Sequence, residues 1–275
     1  QTLGYHEVND GGDAIYQIVD TRPQTVYESI FNGLYAKMIL GNYVTPEQFG
    51  AYCDGVTDDS FAVIKAFSTG KNVFFSRKTY LFSNVTISNS VTVLGNNAVL
   101  IPTTNESNAN RFNTMFSAVT PDINITFKNL SFKWKKAASD TSYQYPLIKV
   151  SNAEQLTIIG CQFEDIYYVG ATNPSTIENS EGAILTANDV NKTIIENTTV
   201  KTCSGDEIIW IKPVSKRREN INAVIVGNTF INNRITVIDF IGNKALVRDN
   251  TYTFEVKKDA TKPSCSLVVL RFNAI

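Results

Sequence analysis

Histidine occurs once, at His6, and cysteine four times, at Cys53, Cys161, Cys203 and Cys265. A single imidazole excludes multi-histidine metal sites and leaves one candidate for any histidine-dependent triad. The cysteines lie 108, 42 and 62 residues apart, which matches no zinc pattern and reads as scattered reduced thiols. That usage suits assembly in a reducing compartment. Charge is sparse, at 19% of residues, with 25 Lys and Arg against 26 Asp and Glu. A net charge of −1 argues against a phosphate backbone as the main partner, so no nucleic acid is expected. No apolar run approaches the roughly 20 residues that span a bilayer, and no apolar stretch behind a basic segment marks a secretory signal. Membrane insertion is therefore not expected. Gly242-Asn243-Lys244 lacks the spacing of a nucleotide loop, and no cofactor or metal is expected.

Apolar residues make up 43% of 275, enough for a sizeable core in one large or two ordinary domains. Asn, Thr, Val and Ile are abundant while Ala and Leu are modest, a bias toward strands and asparagine-rich turns. Residues 1–45 read as a small separate β region. Gly4 to Val19 has strand character on both sides of Asn9-Asp10-Gly11-Gly12, which predicts a hairpin. Ile30 to Leu40 predicts another short turn and strand around Asn32-Gly33. Next, Thr57 reads as an N-cap, with Asp58 and Asp59 suited to the positive end of a helix dipole. Phe61, Ile64 and Phe67 recur three apart, so a short amphipathic helix is expected over 58–67 with those three buried.

From Asn72 onward the chain repeats itself. Ile125-Thr-Phe127-Lys-Asn129-Leu-Ser-Phe132 is echoed by Leu156-Thr-Ile158-Ile-Gly160-Cys-Gln-Phe163, and again by copies centred on Asn197, Gly227 and Asp249. Each copy is a short strand, a Gly/Asn/Asp corner and an apolar residue three positions later. The closing residues Phe132, Phe163, Val200, Phe230 and Tyr252 are 31, 37, 30 and 22 apart. Unequal periods with equal motifs place insertions in loops, near 102–111, 135–144, 170–181, 213–220 and 257–264. A second strand falls between copies: Leu147–Val150, Ile184–Ala187, Ile208–Ile211, Val237–Ile241 and Leu267–Phe272. Such a unit cannot bury its own apolar face, but coils stacked about 4.8 Å apart can. Ile158, Ile195 and Ile225 should then form one inward column. A β-sandwich would show hairpin alternation instead, whereas these repeats run in one sense. The expectation is an all-β chain: a right-handed single-stranded parallel β-helix over residues 46–275, with a capping helix at its open end.

Phe49-Gly50-Ala51 through Asp54-Gly55-Val56-Thr57-Asp58-Asp59, followed by Val73-Phe74-Phe75 and Thr79-Tyr80-Leu81, resembles the opening of pectate-lyase-like (pectin-lyase-like) β-helix proteins. Gly4-Tyr5 to Gly11-Gly12 and Asn32-Gly33-Leu34-Tyr35-Ala36 are similar to the small β region before this opening in bacteriophage tail spikes and appendage proteins. The resemblance implies a homotrimer in the virion tail, assembled in the host cytoplasm beside other tail proteins. It implies attachment to a host-surface glycan such as a polysaccharide or teichoic acid, often with its depolymerisation. An adhesive spike without catalysis and a free bacterial polysaccharide lyase or hydrolase are the alternatives. The chain ends just after a strand without a visible closing cap and begins without Met, which reads as a fragment or processed piece of a longer spike. Outward apolar residues such as Ile184 and Ile208 are expected at the trimer contact.

Glycoside hydrolysis usually takes two carboxylates, so acids on one outward face are the residues to find. Asp206 and Glu207 open the strand that carries Trp210. Ile195 to Lys212 is similar in rhythm to a polygalacturonase segment in which paired acids begin such a strand, though the second acid here is Glu and the downstream histidine is missing. Asp189 is the only match for that family's third acid. Strand alternation sends Asp239, Trp210, Lys149 and Arg271 outward on one sheet. Asp206, Glu207 and Asp239 are the candidate catalytic residues; Trp210, Lys149 and Arg271 are the candidate substrate-binding residues, with the indole exposed as a platform for a sugar ring. Glu164-Asp165, Glu178 and Glu181 with Tyr167 and Tyr168 are a second set of groove candidates. The basic runs Lys133-Lys135-Lys136, Lys216-Arg217-Arg218 and Lys257-Lys258 read as solvated faces or as contacts for an anionic glycan. His6, ahead of the helix, is not expected in catalysis.

Overall fold

The corner residues show how the chain is organised. In a computed structural model describing residues 1–24, 26–105, 108–134, 146–166, 184–214, 221–253 and 268–272, Asn129, Gly160, Asn197, Gly227 and Asp249 all hold φ between 50° and 67°. Gly, Asn and Asp enter this left-handed region more cheaply than other residues, which is why the repeat keeps them there. A second corner is built the same way by Asp165, Thr202 and Asn232, and a third by Asp122, Asn152 and Asp189. Each corner N–H donates to a carbonyl one repeat later: Gly160 to Glu196 at 3.0 Å, Asn197 to Val226 at 3.1 Å, Gly227 to Arg248 at 3.2 Å. Backbone groups that a turn would orphan are therefore satisfied by the next rung.

The segments between corners form parallel ladders. Each repeat contributes two strands to a 14-stranded sheet and then one to a seven-stranded sheet, as in Gln155–Ile159, Gln162–Glu164 and Leu185–Asn188. Register runs Phe127↔Ile158↔Ile195↔Ile225↔Val247, so the anticipated column of Ile158, Ile195 and Ile225 is present and buried. A parallel column takes the closing residues, Phe132↔Phe163↔Val200↔Phe230↔Tyr252. In it Phe132 stacks on Phe163 with centroids 4.7 Å apart, and Phe230 on Tyr252 at 4.9 Å. Both sheets feed one apolar core. Cys53, Cys161 and Cys203 are buried there as free thiols; Cys265 lies outside the described residues.

A buried polar ladder runs beside the columns. Asn228 accepts from Thr198 N–H at 2.9 Å and donates through Nδ2 to Ile195 O and Asn250 Oδ1, both at 2.9 Å. Asn250 repeats the pattern by donating to Ile225 O. Asparagine and glycine also alternate at the first corner for a steric reason. A Cβ on Gly160 would lie 2.6 Å from Asn129 Oδ1, and one on Gly227 would lie 2.8 Å from Asn197 Oδ1.

Several expectations are corrected. The helix spans Ser60–Ser68, and Thr57 does not cap it. Asp54 captures Val56 N–H, Thr57 N–H and the Thr57 hydroxyl instead, while Asp58 accepts from Ser60 N–H. Asp59 is buried and its carboxylate accepts from Tyr52 and Cys53 N–H, the latter in a left-handed conformation. Burial pushes the Asp59 pKa up, against the pull of these backbone donors. The helix buries Ala62, Val63 and Ala66, with Phe67 half-buried, and leaves Phe61 73% and Ile64 42% exposed. Small side chains let the helix backbone sit close over the first rung, and that stripe wins over the bulkier one. The segment 102–111 is not simply a loop: Thr104–Asn105 pairs antiparallel with Asn108–Phe112. The other four insertions fall largely outside the described residues.

The first 19 residues form no hairpin among themselves. Tyr16–Val19 pairs with Tyr35–Met38, which also pairs with Tyr27–Ser29. The Asn9–Gly12 turn is instead folded around Asp10, whose carboxylate accepts from the N–H groups of Tyr5, His6, Glu7 and Gly12. Lys78 Nζ donates to Asp10 O and pairs with buried Glu47 at 3.6 Å, tying this turn to the first rung. Ile184 and Ile208 are fully covered within the single chain and give no support to a trimer contact.

Two outcomes are expected. Asn228→Ala leaves several buried backbone partners unsatisfied and should lower the unfolding free energy by about 2–4 kcal/mol in urea denaturation. For Asp10, burial works to raise the pKa, but the four backbone donors outweigh it and hold the carboxyl far below the ordinary range. A lowered folded-state pKa stabilises above the unfolded value of about 4 and is lost as pH falls below it. The Tm difference between the parent and Asp10→Asn should therefore shrink as pH is lowered from 5 to 2.

Candidate functional site

Parallel register sets which outward side chains become neighbours. On the seven-stranded sheet, Ser117, Lys149, Thr186, Trp210, Asp239 and Val269 are successive register partners. The residues on either side in each strand, Ile209 and Ile211 or Ile238 and Phe240, belong to the core. The row Lys149–Thr186–Trp210–Asp239 thus lies on the opposite face, at rungs about 4.8 Å apart. Arg271 pairs with Ile241, two positions beyond the Asp239–Val269 pair.

Asp206 and Glu207 do not open their strand: it begins at Ser204, and they are the third and fourth residues of Ser204–Lys212. The register against Arg234–Gly242 slips between Ser204 and Glu207, where an extra residue bulges, and recovers at Glu207↔Thr236. Bulges re-aim side chains and are frequent beside functional sites. Glu207 lies three residues from Trp210, about 10 Å along the strand at 3.3 Å per residue. The side chains of Asp206, Glu207 and Arg271 fall outside the described set.

Exposure departs from the sequence expectation. Trp210 is only 5% exposed, Asp239 2%, and Thr186 is fully buried, while Lys149 is partly open. Lys212 Nζ sits 3.8 Å from the Trp210 ring centroid, so an ammonium occupies the face expected to receive a sugar. Trp210 is therefore not the open platform that strand alternation implies. Alternation states which side of a sheet a residue is on; it does not state whether that side is wet. Lys212 and Thr186 were missed by sequence reasoning, although aligning the second strands by parity would have found both.

The other candidates resolve into structural roles. Asp189 holds a third-corner position and its carboxylate accepts from Val214 N–H at 2.9 Å. Glu164 bridges Lys133 at 2.6 Å and Lys201 at 2.9 Å, and these hydrogen bonds lower its pKa. Asp165 is a second-corner residue. His6 Nε2 lies 3.0 Å from Gly50 O and its ring stacks on Tyr52 at 4.0 Å, far from the sheet in sequence and bonded to the opening segment. Burial pushes the thiols of Cys161 and Cys203 up to about 12, so neither is a thiolate nucleophile near neutrality. Tyr167, Tyr168, Glu178, Glu181 and the basic residues at 135–136, 216–218 and 257–258 lie outside the described residues. Among the described residues no three His, Cys, Asp or Glu side chains converge as metal ligands.

The structural neighbours of this fold include surface adhesins, phage tailspike proteins and a parallel-β-helix enzyme that modifies glycans. Among them is PfbA, a surface adhesin of Streptococcus pneumoniae, 16% identical, with a TM-score of 0.50 over 83% of this chain and 67% of that one. WceF of Pantoea stewartii, a glycan biofilm modifying enzyme with a tailspike-like parallel β-helix, is 14% identical with a TM-score of 0.38, over 95% of this chain and 46% of that one. The tailspike protein of Acinetobacter baumannii phage AM24 is 11% identical with a TM-score of 0.35, over 94% of this chain and 52% of that one. This chain spans about half the length of the last two. At these identities the likeness is one of fold. No family model matches the sequence, and no curated protein does.

Because the indole is enclosed, Trp210→Ala should cost about 3–5 kcal/mol of stability in chemical denaturation, whatever its effect on binding. An unchanged unfolding midpoint would put the ring at the surface.

Proposed function

We propose that this chain is a glycan-binding spike: a right-handed parallel β-helix, displayed as a homotrimer on a phage tail, with residues 1–45 as its connector and the β-helix over 46–275. The reading rests on one observation above others, the register of the seven-stranded sheet, which repeats outward positions rung after rung. A row repeated every 4.8 Å or so suits a polymer better than a single small ligand. Succession of two strands on one sheet and one on the other, always parallel, supports closure into coils, and the general preference of parallel crossovers supports the right hand. A host-surface glycan is the partner, with Lys149 and Arg271 as cations for its acidic or phosphate groups and Asp206, Glu207 and Asp239 along the same strands. Binding without cleavage is favoured over depolymerisation because Asp239 is enclosed and Trp210 is engaged by Lys212. The trimer and the virion location rest on the resemblance of residues 4–12 and 32–36 to the small β region of tail spikes.

The test is incubation of the protein with purified host-envelope glycans, followed by mass analysis of what is released. Retention without fragments is expected, weakened about tenfold in a Lys149→Ala/Arg271→Ala variant that keeps its fold. Fragments that disappear in Asp206→Asn, Glu207→Gln or Asp239→Asn would establish a depolymerase instead. No retention on any envelope glycan would remove the proposal.

A further inference from the structure

A cavity of about 570 Å³ opens where the strand Asp54–Asp58 and the start of the helix face the segment around Thr104 and the strand Asn124–Lys133 runs out at Trp134. Its size is that of a small-molecule cleft. Its lining includes the apolar residues Val56, Ile64, Leu81, Ile101, Pro102 and Trp134. Among them stand the polar residues Asp58, Ser83, Thr103 and Asn113. These polar groups are held rigidly. Ser83, with no exposure, donates from its hydroxyl to Asn113 O at 3.3 Å and accepts from Thr103 N–H at 3.0 Å. Asn113 Nδ2 donates to Thr103 Oγ1 and Thr104 O, both at 3.2 Å. Asp58 is fixed by Ser60 N–H at 2.8 Å.

The charge of the lining narrows the ligand. Among the described residues Asp58 is the sole ionisable residue of the lining. An anionic ligand would face that carboxylate, with no cation among the described lining residues to offset it. A wholly apolar ligand would cover the Asp58 carboxylate and the half-buried Asn113 amide without replacing their water. An uncharged sugar matches both kinds of lining group: its C–H face packs on apolar side chains, and its hydroxyls donate to the carboxylate and exchange hydrogen bonds with the amide.

We propose that this cavity binds an uncharged sugar residue, with Asp58 accepting from its hydroxyls and the wall formed by Trp134 and Ile101 packing on its ring. The inference extends the glycan reading to a different place on the molecule and uses none of the residues of the outer row.

The chain has two tryptophans, so Trp210→Phe leaves Trp134 as the only indole reporter. Titration of that variant with maltotetraose and with chitotetraose should give a saturable change in emission for at least one of them, and none with the acidic tetragalacturonate. Val56→Phe/Thr104→Phe narrows the mouth from two exposed rim positions and should abolish the change. Asp58→Asn should weaken the affinity about tenfold, the usual effect of losing a hydrogen bond to a charged group. Saturation-transfer NMR on the parent chain checks the same binding without any substitution. Absence of a saturable signal with both neutral probes in both measurements overturns the proposal, as does a signal that survives the narrowed mouth unchanged. Polymer retention lost on substituting Lys149 and Arg271 is a separate result, so failure of the outer-row site and failure of this one are told apart.

Discussion

Everything in this molecule depends on a left-handed residue at each corner whose N–H bonds to the next rung. A parallel coil must turn without leaving backbone groups unpaired, and the turn must present the following strand in register. Gly160, Asn197 and Gly227 meet both demands at one corner. Once the corners are set, the spacing of side chains between them follows. Columns such as Phe127–Ile158–Ile195–Ile225 assemble because the register leaves no other partner. The chain can also carry insertions of different length between rungs, since the closure entropy of a loop grows slowly with its length.

The polar ladder is the second consequence. Thr198, Asn228 and Asn250 lie one rung apart, and each of the two carboxamides satisfies an N–H and a carbonyl of the preceding rung. A lone buried amide would be a liability, whereas a run of them at rung spacing is satisfied collectively. The same logic explains the opening segment. Asp10, Asp54 and Asp59 each collect several backbone N–H groups, so these three acids are organisers of tight turns. Asp206, Glu207 and Asp239 lie on the seven-stranded sheet, where the bulge ahead of Glu207 is the one irregularity in an otherwise regular pair of strands.

The fold was legible because its repeat is written in residue types with a conformational reason. Gly, Asn and Asp at five equivalent corners, followed three residues later by an apolar side chain, can be recognised without any structure. Three of the four members of the candidate row were legible too, since Lys149, Trp210 and Asp239 follow from period-two alternation. Its exposure was not. Whether Trp210 is open depends on what lies over the sheet, and Lys212, two residues away on the same strand, covers its ring. The buried stripe of the helix was misread for a similar reason: Phe61–Ile64–Phe67 and Ala62–Val63–Ala66 are both admissible faces, and close approach to the first rung selects the smaller side chains.

The sequence by itself determined the local conformations, the rung-to-rung register and the side of each strand that faces the core, because those depend on backbone preferences and on neighbours one repeat away. Only the tertiary structure decided which outward groups are enclosed, that Ile184 and Ile208 are covered within one chain, and that Asp58, Ser83, Asn113 and Trp134 meet around one cavity. Those facts depend on contacts between segments separated by tens of residues, for which the one-dimensional pattern carries no periodic signal.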